Sequence, residues 1–205
     1  MPCLFLATGN AGKSAEFRRL LAGCGWELLT PAKLDITLSA EETGETYEEN
    51  ARIKAIEGAR VSGLVTLAED SGLEIDFLDG KPGVNSARFL GEDAGYGERF
   101  QEIGRRLQGR TRVERGARFV SVIALANPGF AEVRFVRGEV EGFIADEARG
   151  EGGFGYDPIF WVPQHSATMA EIPAQEKDVI SHRARAVALA GQVLKGLVHG
   201  QGETG

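Results

Sequence analysis

The 205-residue chain is 42% apolar and 26% charged, which suits one large domain or two closely joined lobes and excludes a disordered chain. Its formal net charge of −7, from 23 basic and 30 acidic residues, speaks against a duplex or RNA binder, which carries a basic excess or a basic face, yet leaves room for a divalent cation. Cys3 and Cys24 form neither a disulfide framework nor a metal motif, and no apolar run approaches the ~18–20 residues a membrane helix needs.

The opening MPCLFLATGN lacks the basic start of a signal peptide. A cytoplasmic protein with no membrane or nucleic-acid partner is expected. Residues 3–7 read as a buried strand, followed by the turn Thr8-Gly9-Asn10-Ala11-Gly12-Lys13. Phe17, Leu20 and Leu21 then recur at helical spacing from Ser14, and Gly23 and Gly25 end that helix. Residues 26–29 make a second short strand, so the chain starts as strand, loop, helix, strand, the mark of an α/β fold.

Residues 35–46 are acidic and loop-like. Thr46 and Glu49 form a capping-box pair, and Ile53, Ile56 and Ala59 predict one apolar stripe on a helix ending near Gly63. Val65–Ala68 reads as a strand that delivers Asp70 at its end. Leu73, Ile75 and Phe77 alternate with Glu74 and Asp76 as a second strand, and Asp79-Gly80 is a turn. Residues 93–108 suit a helix. Residues 117–126 and 131–137, flanking Asn127-Pro128-Gly129, read as an antiparallel hairpin, and Val140–Ala145 extends the sheet. A single helix is expected over about 178–198, with a frayed tail over 200–205. The mid-chain hairpin breaks a simple βαβ rhythm. The expected fold is therefore α/β, with a mixed twisted sheet flanked by helices.

Three features carry chemistry. The first is the glycine loop. A phosphate-binding Walker loop needs G-x-x-x-x-G-K-[ST], and Gly12-Lys13-Ser14 meets only its end, because residue 7 is alanine. Exposed amides, a helix N-terminus and Lys13 still suit a phosphate, and an ordinary tight turn with a surface lysine is the alternative. The second is carboxylate chemistry. Asp70, placed between an apolar strand and Ser71-Gly72, and a run of glutamates over 41–49 offer oxygen ligands of the kind Mg²⁺ takes; most of that run also reads as a solvated loop. The third is Gly152–Pro158 with Lys177, His182 and Arg183. Loop aromatics can stack on a base, whereas the same rings can simply anchor a glycine turn, and a lone His182 can be structural. No Ser–His–Asp or zinc arrangement can be assigned.

Four segments together, Ala7–Phe17, Glu41–Ala55, Ala68–Gly91 and Gly152–Ala186, resemble the inosine triphosphate pyrophosphatase family of noncanonical purine nucleoside triphosphatases. The resemblance implies two lobes with a central active-site cleft, a homodimer, and Mg²⁺. It also implies hydrolysis of dITP, ITP, XTP and dXTP to the monophosphate and pyrophosphate. It places Asp70 as general base and metal ligand and Glu41 as the second metal carboxylate, with Glu42 beside it as the alternative. Phosphate contacts fall on Thr8, Gly9, Asn10, Ala11, Gly12, Lys13 and Lys54, and a further substrate contact on Ser71. The base-binding segment falls on Phe154, Gly155, Tyr156 and Asp157, with Phe154 stacking. Lys177, His182 and Arg183 complete the substrate contacts, the last two sensing the 6-oxo group. Related readings are a pyrophosphatase for other modified nucleotides and a catalytically silent nucleotide-binding module.

Overall fold

The computed structural model describes residues 1–128 and 132–200, with side chains described as far as Leu197. The expected turn glycine Gly129 and the tail 201–205 lie outside the described residues.

The N-terminal third alternates strand and helix: β1 (Cys3–Leu6), α1 (Ala11–Leu20), β2 (Glu27–Leu29), α2 (Pro31–Leu34), α3 (Tyr47–Ser62) and β3 (Val65–Ile75). There follow α4 (Tyr96–Arg106), β4 (Gly116–Ala126), β5 (Val133–Ile144), β6 (Phe160–Val162), β7 (Ala167–Thr168), α5 (Ala174–Ile180) and α6 (His182–Gly200). The strands make one seven-stranded sheet in the order β2-β1-β3-β4-β5-β6-β7. β1 runs parallel to β2 and β3, while β6 runs antiparallel to β5 and β7. The sheet is therefore mixed, as the broken βαβ rhythm predicts. The two strands of the expected hairpin, β4 and β5, are neighbours in it.

The chain forms two compact units, one of Met1–Asp70, Ser121–Gly138 and Arg183–Gly205, the other of Ser71–Val120 and Glu139–His182. Each has its own apolar core. In the first, Leu4, Leu6, Phe17, Leu67, Ile123 and Leu194 are buried together. In the second, Leu73, Ile75, Ile103, Phe119, Ile144 and Phe160 are.

Several elements depart from the sequence reading. α1 starts at Ala11, three residues early, because the Asn10 side chain caps it by accepting from the Lys13 amide at 3.0 Å. Gly12 and Lys13 thus belong to a helical first turn. β3 is one continuous strand of 11 residues, so Asp70 sits in mid-strand instead of at a strand end, and Phe77 falls in a 3₁₀ turn over Asp76–Leu78. The carboxylates of β3 stay in the sheet because ion pairs satisfy them. On α3 the capping box of Thr46 and Glu49 forms and Gly63 closes the helix, as expected. The buried face, however, is Tyr47, Asn50, Ala51, Ala55, Gly58 and Ala59, and Ile56 is exposed. Small residues win that face because the helix lies very close to the sheet: a Cβ on Gly58 would stand 2.7 Å from Thr66 and 2.8 Å from Ala7. Finally, the expected C-terminal helix is two helices separated at Ser181, whose backbone is extended. Val179, at 75% exposure, belongs to no apolar stripe.

Candidate active site

The first unit holds two linked groups of charges, both rooted in β3. Glu69 is buried, and its carboxylate is bracketed by cations and a hydroxyl. Lys13 Nζ lies 2.7 Å from Oε2, Arg183 Nε 3.1 Å from Oε1, and Ser121 Oγ donates to Oε1 at 3.0 Å. Arg183 also reaches Glu16 Oε2 at 3.1 Å through Nη1. Lys13 is delivered by the first turn of α1, Glu16 by the next position facing inward, and Arg183 by the start of α6.

Asp70, the next residue along β3, anchors the second group. Lys54 Nζ donates to Asp70 Oδ1 at 3.1 Å and lies 3.2 Å from Glu42 Oε1, while Asn50 Nδ2 donates to Asp70 Oδ2 at 3.4 Å. Asn50 and Lys54 are one helical turn apart on α3, so one face of that helix presents both to the strand. Burial pushes the Asp70 carboxyl above the ordinary aspartate range; Lys54 and Lys13 oppose the shift, and Glu42 and Glu69 add to it. Burial by itself would lower Lys54, but Asp70, Glu42 and Glu69 outweigh it and hold the ammonium above the usual lysine value. The result is a firmly charged lysine beside a carboxylate of raised basicity.

The glycine loop ends at the Glu69 group, through Lys13. Thr8 Oγ1 accepts from the Asn10 amide at 3.2 Å, and the amides of Ala11 and Gly12 open the helix as its unfilled first-turn donors. Gly9 is exposed, and a Cβ there would meet nothing within 4 Å. With Lys13, this edge offers amide dipoles and a positive charge to an oxyanion.

The second unit holds the other expected residues, Arg183 excepted. Asp157 is buried; its Oδ2 accepts from Lys177 Nζ at 2.5 Å and from the Phe154 amide at 2.9 Å. The Lys177 ammonium also lies 5.3 Å from the centre of the Phe154 ring. Gly153 cannot be replaced here, since its φ is +71° and a Cβ would collide with the Asp157 carboxylate. Tyr156 is buried, donates to the Ser86 carbonyl at 2.9 Å and meets Tyr96 edge-on; burial pushes its hydroxyl far up. Tyr156 and Asp157 anchor the turn, and Phe154 is half-buried beside Lys177. His182 is buried and stacked on Phe119, ring centres 4.8 Å apart. Ser71 is half-buried on β3.

The sequence profile of the Ham1 family matches residues 4–192. The chain belongs to the Ham1 family. Among its Ham1-family relatives, the protein named dITP/XTP pyrophosphatase of Bacillus subtilis is 44% identical over 93% of this chain and 96% of its own. The protein of the same name from Gloeobacter violaceus is 48% identical over 91% of each chain. Among solved structures, a HAM1 protein from Coxiella burnetii superposes with a TM-score of 0.85 at 42% identity, covering 96% of this chain and all of that one. The family resemblance and the mixed α/β fold read from the sequence are borne out.

Within this Ham1-family chain, Glu42 rather than Glu41 is brought to Lys54. Glu41 is exposed, and its carboxylate meets no partner among the described residues. Among those residues, no group of three or more His, Cys, Asp or Glu side chains is placed to hold a metal ion. Asp70 and Glu42 nevertheless converge on a single positive charge, the Lys54 ammonium. Such an oxygen donor pair suits an ion that keeps most of its own waters. Three participants escaped sequence reasoning: Glu16, Asn50 and Ser121. Asn50 carried a signal, since it lies at i−4 from Lys54 on the same helix. Glu16 and Ser121 carried none, because their partners are distant in sequence. No helix among the described residues is long and apolar enough to cross a membrane.

Proposed function

We propose that this chain hydrolyses deaminated purine nucleoside triphosphates (dITP, ITP, XTP, dXTP) to the nucleoside monophosphate and pyrophosphate; its relatives bear the name dITP/XTP pyrophosphatase. The observation that carries the reading is Asp70, a buried carboxylate of raised basicity held in place by Lys54 and Asn50. A base of that kind can accept a proton from water near neutral pH better than an ordinary aspartate can. The water oxygen bonds to the α phosphorus, the bond to the α–β bridging oxygen breaks, and pyrophosphate departs. Lys13, Lys54 and the amides of Ala11 and Gly12 neutralise phosphate charge, which is where most of the rate in phosphoryl chemistry arises.

Asp70 and Glu42 are the residues that would hold Mg²⁺, which when bound supplies charge neutralisation and a more acidic water. Phe154 stacks on the base, held by the Asp157–Lys177 pair behind it. The start of α6, at His182 and Arg183, reads the 6-oxo group: a donor placed for that oxygen leaves adenine's amino group unpaired, and unpaired buried polar groups are costly. A homodimer in the cytoplasm, cleansing the nucleotide pool, completes the proposal.

The test is product analysis with Mg²⁺ and dITP, XTP, GTP or ATP. Monophosphate and pyrophosphate should appear from dITP and XTP far faster than from ATP or GTP. Orthophosphate as the first product would overturn the reaction type. Light scattering reads the oligomeric state.

A further inference from the structure

A cavity of about 310 Å³ lies wholly within the second unit, lined by Arg110, Arg112, Arg115, Arg149, Phe143 and Trp161 among others. Its volume is that of a small-molecule site. None of its lining residues belongs to the candidate active site.

Four arginines meet here on a chain whose net charge is −7. Two of the four are already engaged. Arg115 donates through Nε to the Ile144 carbonyl at 2.9 Å and through Nη2 to the Ala145 carbonyl at 2.8 Å, and its Nη1 lies 2.7 Å from Asp146. Arg110 lies 3.4 Å from Glu114 and covers the Phe77 ring. The other two, Arg112 and Arg149, have no acidic partner among the described residues. Asp146 is taken by Arg115, leaving Glu147 as the one lining acid with no cationic partner among the described residues. The wall opposite in character is apolar and flat. Phe143 and Trp161 stack at 5.9 Å, Ile144 and Ala145 adjoin them, and the Arg112 guanidinium lies 4.1 Å from the Phe143 ring centre. A guanidinium laid flat on an aromatic ring keeps its edge N–H groups free for an oxyanion.

We infer that this cavity is a second ligand site, for a small organic phosphate whose remaining part is flat and weakly polar, a nucleoside monophosphate in class. Arg112 and Arg149 take the phosphate, the geometry for which a guanidinium fork is suited. The Phe143–Trp161 wall takes the ring. The inference uses residues of the second unit alone and does not rest on the proposed reaction.

Trp161 supplies the readout. Its indole N–H is buried with no acceptor among the described residues, so its proton is sensitive to any oxygen or ring brought to that wall. The experiment is a titration of the full chain, free of divalent metal, with IMP, AMP, inorganic phosphate and benzoate. The two indole ¹H–¹⁵N signals are followed, with the Trp161 signal assigned by Trp161→Phe. Each titration is repeated on Asp70→Asn and on the double variant Arg112→Gln/Arg149→Gln. The expected result is a saturable shift of the Trp161 signal with the monophosphates, weaker with phosphate or benzoate alone and retained in Asp70→Asn. Affinity should fall about tenfold or more in the double variant, which loses charged hydrogen bonds. Raised salt should weaken it further. Pyrophosphate release should be unchanged in the double variant. No saturable shift, or an equal one in the double variant, overturns the site. Binding that benzoate matches and phosphate does not shows a carboxylate site and overturns the phosphate assignment.

Discussion

The charges around Glu69 and Asp70 in the first unit and the Asp157–Lys177 pair of the second are built on opposite plans. Around Glu69 and Asp70 two of the three cations are shared: Lys54 serves Asp70 and Glu42, and Arg183 serves Glu16 and Glu69, while Lys13 serves Glu69. The Asp157–Lys177 pair of the second unit is one acid with one cation, both side chains buried, and the same carboxylate oxygen also accepts from the Phe154 amide. Shared ions can exchange partners when a polyanion or a metal arrives. A closed pair can only hold its neighbours still. The comparison separates residues expected to act on the reaction from residues expected to act through the fold.

The largest effect is expected at Asp70. Asp70→Asn removes the base and should cut pyrophosphate release from dITP by about 10²- to 10⁴-fold with the circular dichroism spectrum unchanged. Near-normal turnover would remove Asp70 from the mechanism. Next is the closed pair. Asp157→Asn leaves Lys177 buried and uncompensated, a loss of about 3–5 kcal/mol readable by denaturant unfolding. A variant as stable as the parent would show that the pair is not closed.

A subtler break concerns pH. Lys54 lowers the Asp70 pKa, so Lys54→Met should raise it further. The form that accepts a proton is the ionised one, and activity falls as pH drops through that pKa. The acid limb of the kcat/KM profile should thus move to higher pH in the variant, on top of a loss in phosphate affinity. An unmoved limb would mean that Lys54 and Asp70 do not titrate as neighbours.

The smallest effect is expected at Glu57. Its carboxylate accepts from the Ser39 amide at 2.8 Å, the Ser39 hydroxyl at 2.7 Å and the Ala40 amide at 2.9 Å, fastening the loop that carries Glu42. Burial pushes its pKa up, but those hydrogen bonds and Arg60 outweigh it and hold the carboxyl below the usual glutamate value. Its stabilising contribution is therefore present above the unfolded-state pKa and lost as pH falls through the lower folded one. Glu57→Gln should raise the Mg²⁺ concentration needed for half-maximal rate a few-fold, measured by metal titration, without touching kcat at saturation.

What could be read from the sequence followed local rules. The opening strand, the glycine loop, the Thr46–Glu49 cap with Gly63, and the neighbouring β4 and β5 each rest on residues a few positions apart. What escaped depended on partners far along the chain. Glu69 and Asp70 look like loop residues because buried strands are ordinarily apolar. Lys13, Arg183 and Lys54 make them tolerable in mid-strand, and none of these is near them in sequence. The α3 face was misjudged for a related reason: isoleucines are the stronger apolar signal, but the gap beneath the helix admits only glycine and alanine. The two-helix C-terminus was hidden because Ser181 is no strong helix breaker and the apolar spacing continues through it.

Gly58 sets a dimension for chemistry it never touches. Lys54 lies four residues before it and Asn50 eight, so all three are tied to the same stretch of α3. The missing side chain works as a spacer of zero thickness: it fixes how near the helix backbone lies to Ala7 and Thr66, and hence how far an amine rooted on that helix must reach to meet β3. A single methyl group there would act like a shim under one leg of an instrument, spoiling its alignment while every working part stayed in place.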